Sequence, residues 1–281
     1  MRLADNTLGT DITMGIQESK TAKNFKITQM DVNFNKTLFI NALTNLPPTV
    51  RGVLLLPIDD PEMVAAIQGV IARGIQVIQL DRSLDSISAP AITFDNFSGA
   101  VMATRHLQEE LKLPVFYLGD YKNPDCMAKR FQGWQTAMLE HGHINYKKYV
   151  IPGFEDGIPS ESKENSNFFY YPDLKAFLES RKGKKTAIFA AHDFFALAVY
   201  NCAKELGMRV GKDIFVVGFD DLELCKTLSP QLSSIKVPRK QLGSEALNLL
   251  SEIIETGNNL TSSIRKILPV SLEVRASSQI N

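Results

Sequence analysis

The sequence predicts an α/β protein made of two doubly wound, mostly parallel sheets, and three observations carry that expectation. Short apolar runs alternate with stretches of helical periodicity along almost the whole chain, the rhythm of strand-helix units laid on a parallel sheet. One such unit is complete in the stretch Ile188 to Asp221. Ala187 to Ala190 and Ile214 to Val217 are too brief for helices and are bounded by turn-formers, so both read as strands buried on both faces. Between them Leu197, Ala198, Asn201, Cys202 and Leu206 recur at helical spacing, with Asp193 placed to cap the start and Gly207 to stop the end. Finally, 281 residues are more than one such sheet fills and suit two lobes, each with its own core.

A parallel strand pair needs a crossover, almost always right-handed, so the C-terminal ends of both strands open on one edge of the sheet. His192-Asp193 and Asp220-Asp221 stand at that edge. Ligands of open α/β sheets bind outside those strand ends. A polar pair beside a carboxylate pair suits a molecule rich in hydroxyls.

The other elements follow in order. Ile12 to Phe25 reads as an amphipathic helix, Lys26 to Val32 as an alternating strand, and Asn35 to Leu46 as a helix ended by Pro47-Pro48. Val53 to Pro57 is a buried strand, Pro61 to Ala72 a helix closed by Gly74, and Gln76 to Leu80 a strand entering Asp81-Arg82. Ala91 to Phe94 and Val115 to Leu118 are strands on either side of a helix from Ser98 to Leu111. The second half has a helix at Met127 to His141, a strand at Tyr149 to Ile151, a polar rim from Gly153 to Asn167, and a helix at Pro172 to Arg181. Leu242 to Ile254 is a late helix and Ile267 to Val274 a last strand. Such a sheet ordinarily begins with a strand. Either Arg2 to Ala4 is its stub, or the chain begins after it.

Lys+Arg and Asp+Glu balance at 31 each, which argues against a dedicated nucleic-acid surface. The three cysteines, Cys126, Cys202 and Cys225, are odd in number and lack C-x-x-C spacing, which fits a reducing compartment. No leader pattern opens the chain and no run of 18 apolar residues occurs, so the expected setting is cytoplasmic, with no membrane.

With these residues in place the chain resembles the effector-binding core of the lactose-repressor (LacI/GalR) family of transcription regulators, which shares its fold with periplasmic sugar-binding proteins. The markers run along essentially the whole chain: Asp5-Asn6, Leu80-Asp81-Arg82, Phe94-Asp95-Asn96 with Gly99 and His106-Leu107, Arg130 to Trp134, Ala191-His192-Asp193, Val217 to Asp221, Leu228-Ser229-Pro230 and Leu268 to Leu272 with Arg275. The resemblance implies a periplasmic-binding-protein type I-like fold of two lobes joined by crossing strands, residues 1–118 with 238–260 and residues 119–237 with 261–281. It also implies an effector, a sugar or sugar derivative, in the cleft between the lobes, and a homodimer. Operator DNA would be met only through a helix-turn-helix module that this chain has no room for. A secreted solute-binding protein of a sugar transporter is the alternative.

Candidate ligand-binding residues are Asn6, Asp81, Arg82, Arg130, Phe154, His192 and Asp220. Arg130 resembles the family arginine that reaches the ligand, and its planar fork donates paired hydrogen bonds to neighbouring hydroxyls or a carboxylate. Its replacement by alanine is expected to weaken binding without unfolding. Asp220 would accept from two vicinal hydroxyls, while Asp221 caps the next helix. Asp81 and Arg82 are either a sugar-holding pair or a structural ion pair at the rim. His192 stands where the family usually has asparagine, so its ring offers one donor and one acceptor in place of the amide's set. Asn6 matches a family contact. Leu8 and Gly9 replace stacking aromatics, a face that Phe154 would supply.

No enzyme is expected: G-x-S-x-G, H-E-x-x-H and a complete phosphate loop are all missing from the sequence. No cofactor is expected, and His141-Gly142-His143 has no carboxylate or thiolate at metal-ligand spacing, so it reads as a solvated loop.

Overall fold

Strands form where apolar runs lack helical periodicity, and the helices between them are started and stopped by the residues that flank each run. The computed structural model describes residues 7–32, 35–121, 125–153, 171–257 and 264–280. The chain divides into two compact units, Met1–Phe94 with Pro238–Pro269 and Asp95–Val237 with Val270–Asn281.

The first unit holds a four-stranded, wholly parallel sheet of β1 (Gly52–Leu55), β2 (Gln76–Asp81), β3 (Ala91–Phe94) and β8 (Arg265–Leu268), in that order. The first helix, α1, spans Thr7–Glu18 and is followed by a short 3-10 turn at Ala22–Asn24, so the run expected to reach Phe25 stops early. Asn35 caps α2 (Lys36–Thr44) by accepting from Leu38 N. Asp60 caps α3 (Pro61–Ala72) by accepting from Glu62 N and Met63 N, with Pro61 in the first turn, where its missing N–H costs nothing. Met63, Ile67 and Val70 of α3 pack with Val77, Leu84 and Ile87 into one core. A late helix, Arg239–Thr256, crosses α1 at close range: a Cβ on Gly15 would overlap the backbone of Lys240, and one on Gly243 the carbonyl of Ile12.

Lys26 to Val32, expected as a strand, has no regular structure, and Ile27 and Met30 on it are 42% and 61% exposed. None of the described strands runs beside it to take its backbone hydrogen bonds, and alternation alone does not make a strand without a partner.

In the second unit β4 (Val115–Leu118), β5 (Thr186–Ala190), β6 (Ile214–Asp220) and β7 (Ser233–Lys236) are parallel neighbours, and β9 (Ser271–Glu273) closes the edge antiparallel to β7. Around them lie α4 (Asn96–Leu111), α5 (Asp125–Glu140), α6 (Pro172–Ser180), α7 (Asp193–Leu206) and the short α8 (Leu224–Thr227); the late helix of the first unit is α9. Trp134 of α5 is fully buried and donates to Val115 O at 2.9 Å, which satisfies its indole N–H in the core.

Three boundaries differ from the sequence-based expectation. Residues 95–118, assigned there to the first lobe, lie in the second unit, because β4 pairs with β5 and α4 packs against α5 and β5. The expected single strand Ile267 to Val274 is two: β8 pairs with β3 and β9 with β7, broken at Pro269, which has no N–H to donate. That break is where the chain passes between units, rather than near Thr261, which lies outside the described residues. Tyr149 to Ile151 is a 3-10 turn, Tyr146–Tyr149, leading to a single bridge between Val150 and Tyr117, in place of a strand.

Candidate functional site

The C-terminal ends of β5 and β6 are neighbours because the two strands pair in parallel, Ile188 opposite Val216 and Phe189 opposite Val217. At the end of β5 the chain turns into α7 with His192 as its N-cap, where Nδ1 accepts from Phe194 N–H at 3.1 Å. The cap is therefore His192, where the sequence pointed to Asp193. An acceptor at Nδ1 requires the hydrogen on Nε2, and Nε2 faces Asp220 Oδ2 at 3.1 Å. The ring is also stacked on Phe194, centroids 5.2 Å apart and planes 19° from parallel.

Asp220 closes β6 with φ 106°, and Asp221 follows at 49°. Two successive non-glycine residues with positive φ are costly for L side chains and persist only where neighbouring groups hold them. Asp221 N–H donates to Ser234 Oγ at 3.0 Å and its carboxylate accepts from Arg275 Nη2 at 2.7 Å, so Asp221 is tied to the C-terminal segment instead of capping α8. Asp193, fully buried, accepts from Leu222 N–H at 2.8 Å and from Ser234 Oγ at 2.6 Å. Burial, reinforced by the charge of Asp220, pushes the Asp193 carboxyl up to about 7, against the pull of those hydrogen bonds.

Arg130 rises from α5 beneath this edge and is only 3% exposed. Its Nε donates to Asn96 Oδ1 at 2.8 Å, Nη1 to Ala191 O at 2.6 Å, and Nη2 to Asp220 Oδ1 at 3.1 Å, while its guanidinium carbon lies 3.7 Å over the centroid of the Phe219 ring. The guanidinium is thus built into the wall of the site, and it faces the carboxylate more than the solvent. Asp220, with its side chain 14% exposed, and His192, at 28%, are the groups at the surface. Together they offer an ionised acceptor held by two donors, the arrangement that takes hydrogen bonds from a pair of hydroxyls.

Arg130, His192 and Asp220, widely separated in sequence, therefore meet in the second unit. Asp81 and Arg82 lie in the first, at the C-terminal end of β2. There Asp81 has φ 67° and is 8% exposed, with its Oδ2 at 3.8 Å from Arg82 Nε, a buried nitrogen that makes no hydrogen bond. Asn6 and Phe154 lie outside the described residues. Asn96, 2% exposed in the first turn of α4, belongs to the cluster although sequence inspection did not choose it as a binding residue. Its place directly after a buried strand and beside the capping Asp95 was the available signal.

Among the described residues, no group of three His, Cys, Asp or Glu side chains is arranged to hold a metal ion, and no helix is long and apolar enough to cross a membrane.

Residues 105–278 match the model of the periplasmic binding protein-like domain. The chain belongs to that family. Within it, this periplasmic binding protein-like chain is similar by sequence and fold to LacI-family transcription regulators. The catabolite control protein A of Priestia megaterium is 26% identical over 98% of the chain and 79% of its own length. A transcription regulator from Lactobacillus plantarum of known structure is 25% identical, with a TM-score of 0.78 over 98% of this chain and 97% of that one. A LacI-family regulator from Enterococcus faecium, solved with bound ribose, shares the fold at 20% identity and a TM-score of 0.77, covering 100% of this chain and 97% of that one. The chain spans about half the length of several other curated relatives, 45% to 50% of each.

Proposed function

We propose that this chain is the ligand-sensing domain of a bacterial transcriptional regulator. It binds a small polyhydroxylated effector, a sugar or sugar derivative, with Asp220 and His192 as the contacting groups of the second unit and Arg130 and Asn96 as their support. The regulator works in the cytoplasm as a homodimer and meets its operator through a separate DNA-binding module. The observation that carries this reading is the Arg130–Asp220–His192 cluster. It places a charge-fixed carboxylate at the strand ends of a family whose fold, in the Enterococcus faecium regulator, holds ribose. Relatives that are regulators favour a sensor over a transporter's solute-binding protein.

The mechanism is linkage. An effector shifts a conformational balance only by its difference in affinity for the two states, and that shift reaches the DNA-binding module as a change in operator affinity.

A thermal-shift screen of pentoses, hexoses, their phosphates and nucleobases tests the proposal, since a ligand that binds only the folded state raises the midpoint. The expected result is stabilisation by a neutral sugar that is markedly weaker in Asp220→Asn. Stabilisation by no sugar, or by one that binds Asp220→Asn equally well, overturns it.

A further inference from the structure

We infer that Asp193 is a positioning residue for effector binding: it acts through the backbone turn that aims Asp220, without touching the ligand. The inference rests on the effector-binding reading and extends it to a group buried beneath the site.

The turn after β6 needs a lock. Asp220 and Asp221 both hold positive φ, at 106° and 49°, and released from their neighbours they would relax toward ordinary backbone. Relaxation would swing the Asp220 carboxylate away from Arg130 and His192, because those contacts depend on where the backbone leaves the strand. Asp193 is the lock. One oxygen takes the N–H of Leu222, immediately after the strained pair, at 2.8 Å. The other takes Ser234 Oγ at 2.6 Å, and that same hydroxyl oxygen receives the N–H of Asp221 at 3.0 Å. The space is reserved for it: a Cβ on Gly218 in β6 would overlap Asp193 Oδ1. Because His192 and Asp193 are adjacent, the residue that donates to Asp220 and the residue that fixes its backbone move together at the start of α7.

The test uses the full chain with D-ribose as probe. In Asp193→Ala the ribose dissociation constant is expected to rise roughly tenfold or more, which corresponds to about 1.4 kcal/mol. Asp193→Asn should stay close to wild type, because its amide oxygen can accept from Leu222 N–H while its NH2 donates to Ser234 Oγ. In an Asp220→Asn background Asp193→Ala should add nothing, since its route to the ligand is already cut. A crystal structure of ligand-free Asp193→Ala should show residues 220–222 rearranged, and this readout needs no sugar. Should Asp193→Ala fail to fold, Ser234→Ala removes the second anchor and takes its place in each measurement. Unchanged ribose affinity in a folded variant, effects that multiply with those of Asp220→Asn, or an unaltered turn in the crystal would each overturn the inference. If the wild type ignores ribose, the sugar that stabilises it in the thermal-shift screen replaces ribose as probe; if none does, the sugar-sensing proposal fails and the crystal structure decides the role of Asp193 by itself.

Discussion

His192 Nε2 lies 3.1 Å from Asp220 Oδ2 while its other nitrogen caps α7, so one imidazole joins the ends of two neighbouring strands. A side chain with two structural partners responds to substitution in two separable ways. Asparagine keeps an N-cap acceptor, and His192→Asn should change stability by less than about 1 kcal/mol, whereas His192→Ala loses the cap and should cost about 1 kcal/mol. Both variants remove the donor at Nε2 from Asp220, and both should bind effector more weakly. Urea titration and calorimetry together separate the two effects. Equal stability of all three proteins would show that the cap is worth nothing here.

The burial of Arg130 reverses one expectation. The sequence alone suggested that alanine there would weaken binding and leave the fold intact. At 3% exposure, with Asn96, Ala191 and Asp220 as acceptors, its loss strands a half-buried carboxylate and a buried amide. Removing one partner of a buried pair costs about 3–5 kcal/mol, so Arg130→Ala should lower the melting temperature by many degrees. Asp220→Asn, which keeps an acceptor for the guanidinium, should cost less stability and more affinity. A melting temperature for Arg130→Ala within a degree of wild type would return the residue to the role of a solvent-facing ligand contact.

The pH dependence of stability should run opposite to that of an ion-paired carboxylate. The Asp193 carboxyl stands at about 7 in the folded protein against an ordinary 3.8. Between those values the unfolded chain has released a proton that the folded protein still holds, so stability falls as pH rises through the window and levels off above it. A shift of that size corresponds to an upper bound of about 4 kcal/mol. Urea denaturation from pH 4 to pH 8 measures it, and Asp193→Asn should remove that component of the slope. If the slope persists unchanged in the variant, the proton belongs to another group.

What could be read from the chain and what could not divide along physical lines. The unit around α7 was legible because its strands are apolar on both faces and its helix is not, and β5 and β6 fall where the runs Ala187 to Ala190 and Ile214 to Val217 indicate. The strand β7 was not read as one, since Ser233 and Ser234 are buried by hydrogen bonds to Arg275, Ser278 and Asp193 rather than by apolar packing. Lys26 to Val32 shows the converse, an alternating pattern without a partner strand. At the site, strand ends picked out His192 and Asp220, while Arg130 was picked out by its resemblance to the family arginine. Depth was invisible: nothing in the sequence separates a guanidinium reaching for a ligand from one buried under a carboxylate, and only the packing of Phe219 and Asn96 around Arg130 decides it.

The last prediction concerns Gly218, whose φ is unremarkable and whose value lies in the space it leaves. A methyl group placed there would occupy the position of Asp193 Oδ1 and press on Leu232 at 3.3 Å. Overpacking a filled core costs about 1–3 kcal/mol, and here the group that must yield is the carboxylate that fastens Leu222 N–H. Gly218→Ala should therefore lose stability and effector affinity together. Gly69→Ala, in α3, where an added Cβ meets nothing within 4 Å, serves as the control and should lose neither. Combining Gly218→Ala with Asp193→Ala should relieve the overlap, so that the double variant is more stable than the sum of the two single losses allows. A strictly additive result, measured by denaturant titration, would mean that the added methyl is accommodated by Leu232 and the backbone of β6, and that Gly218 has no special relation to Asp193.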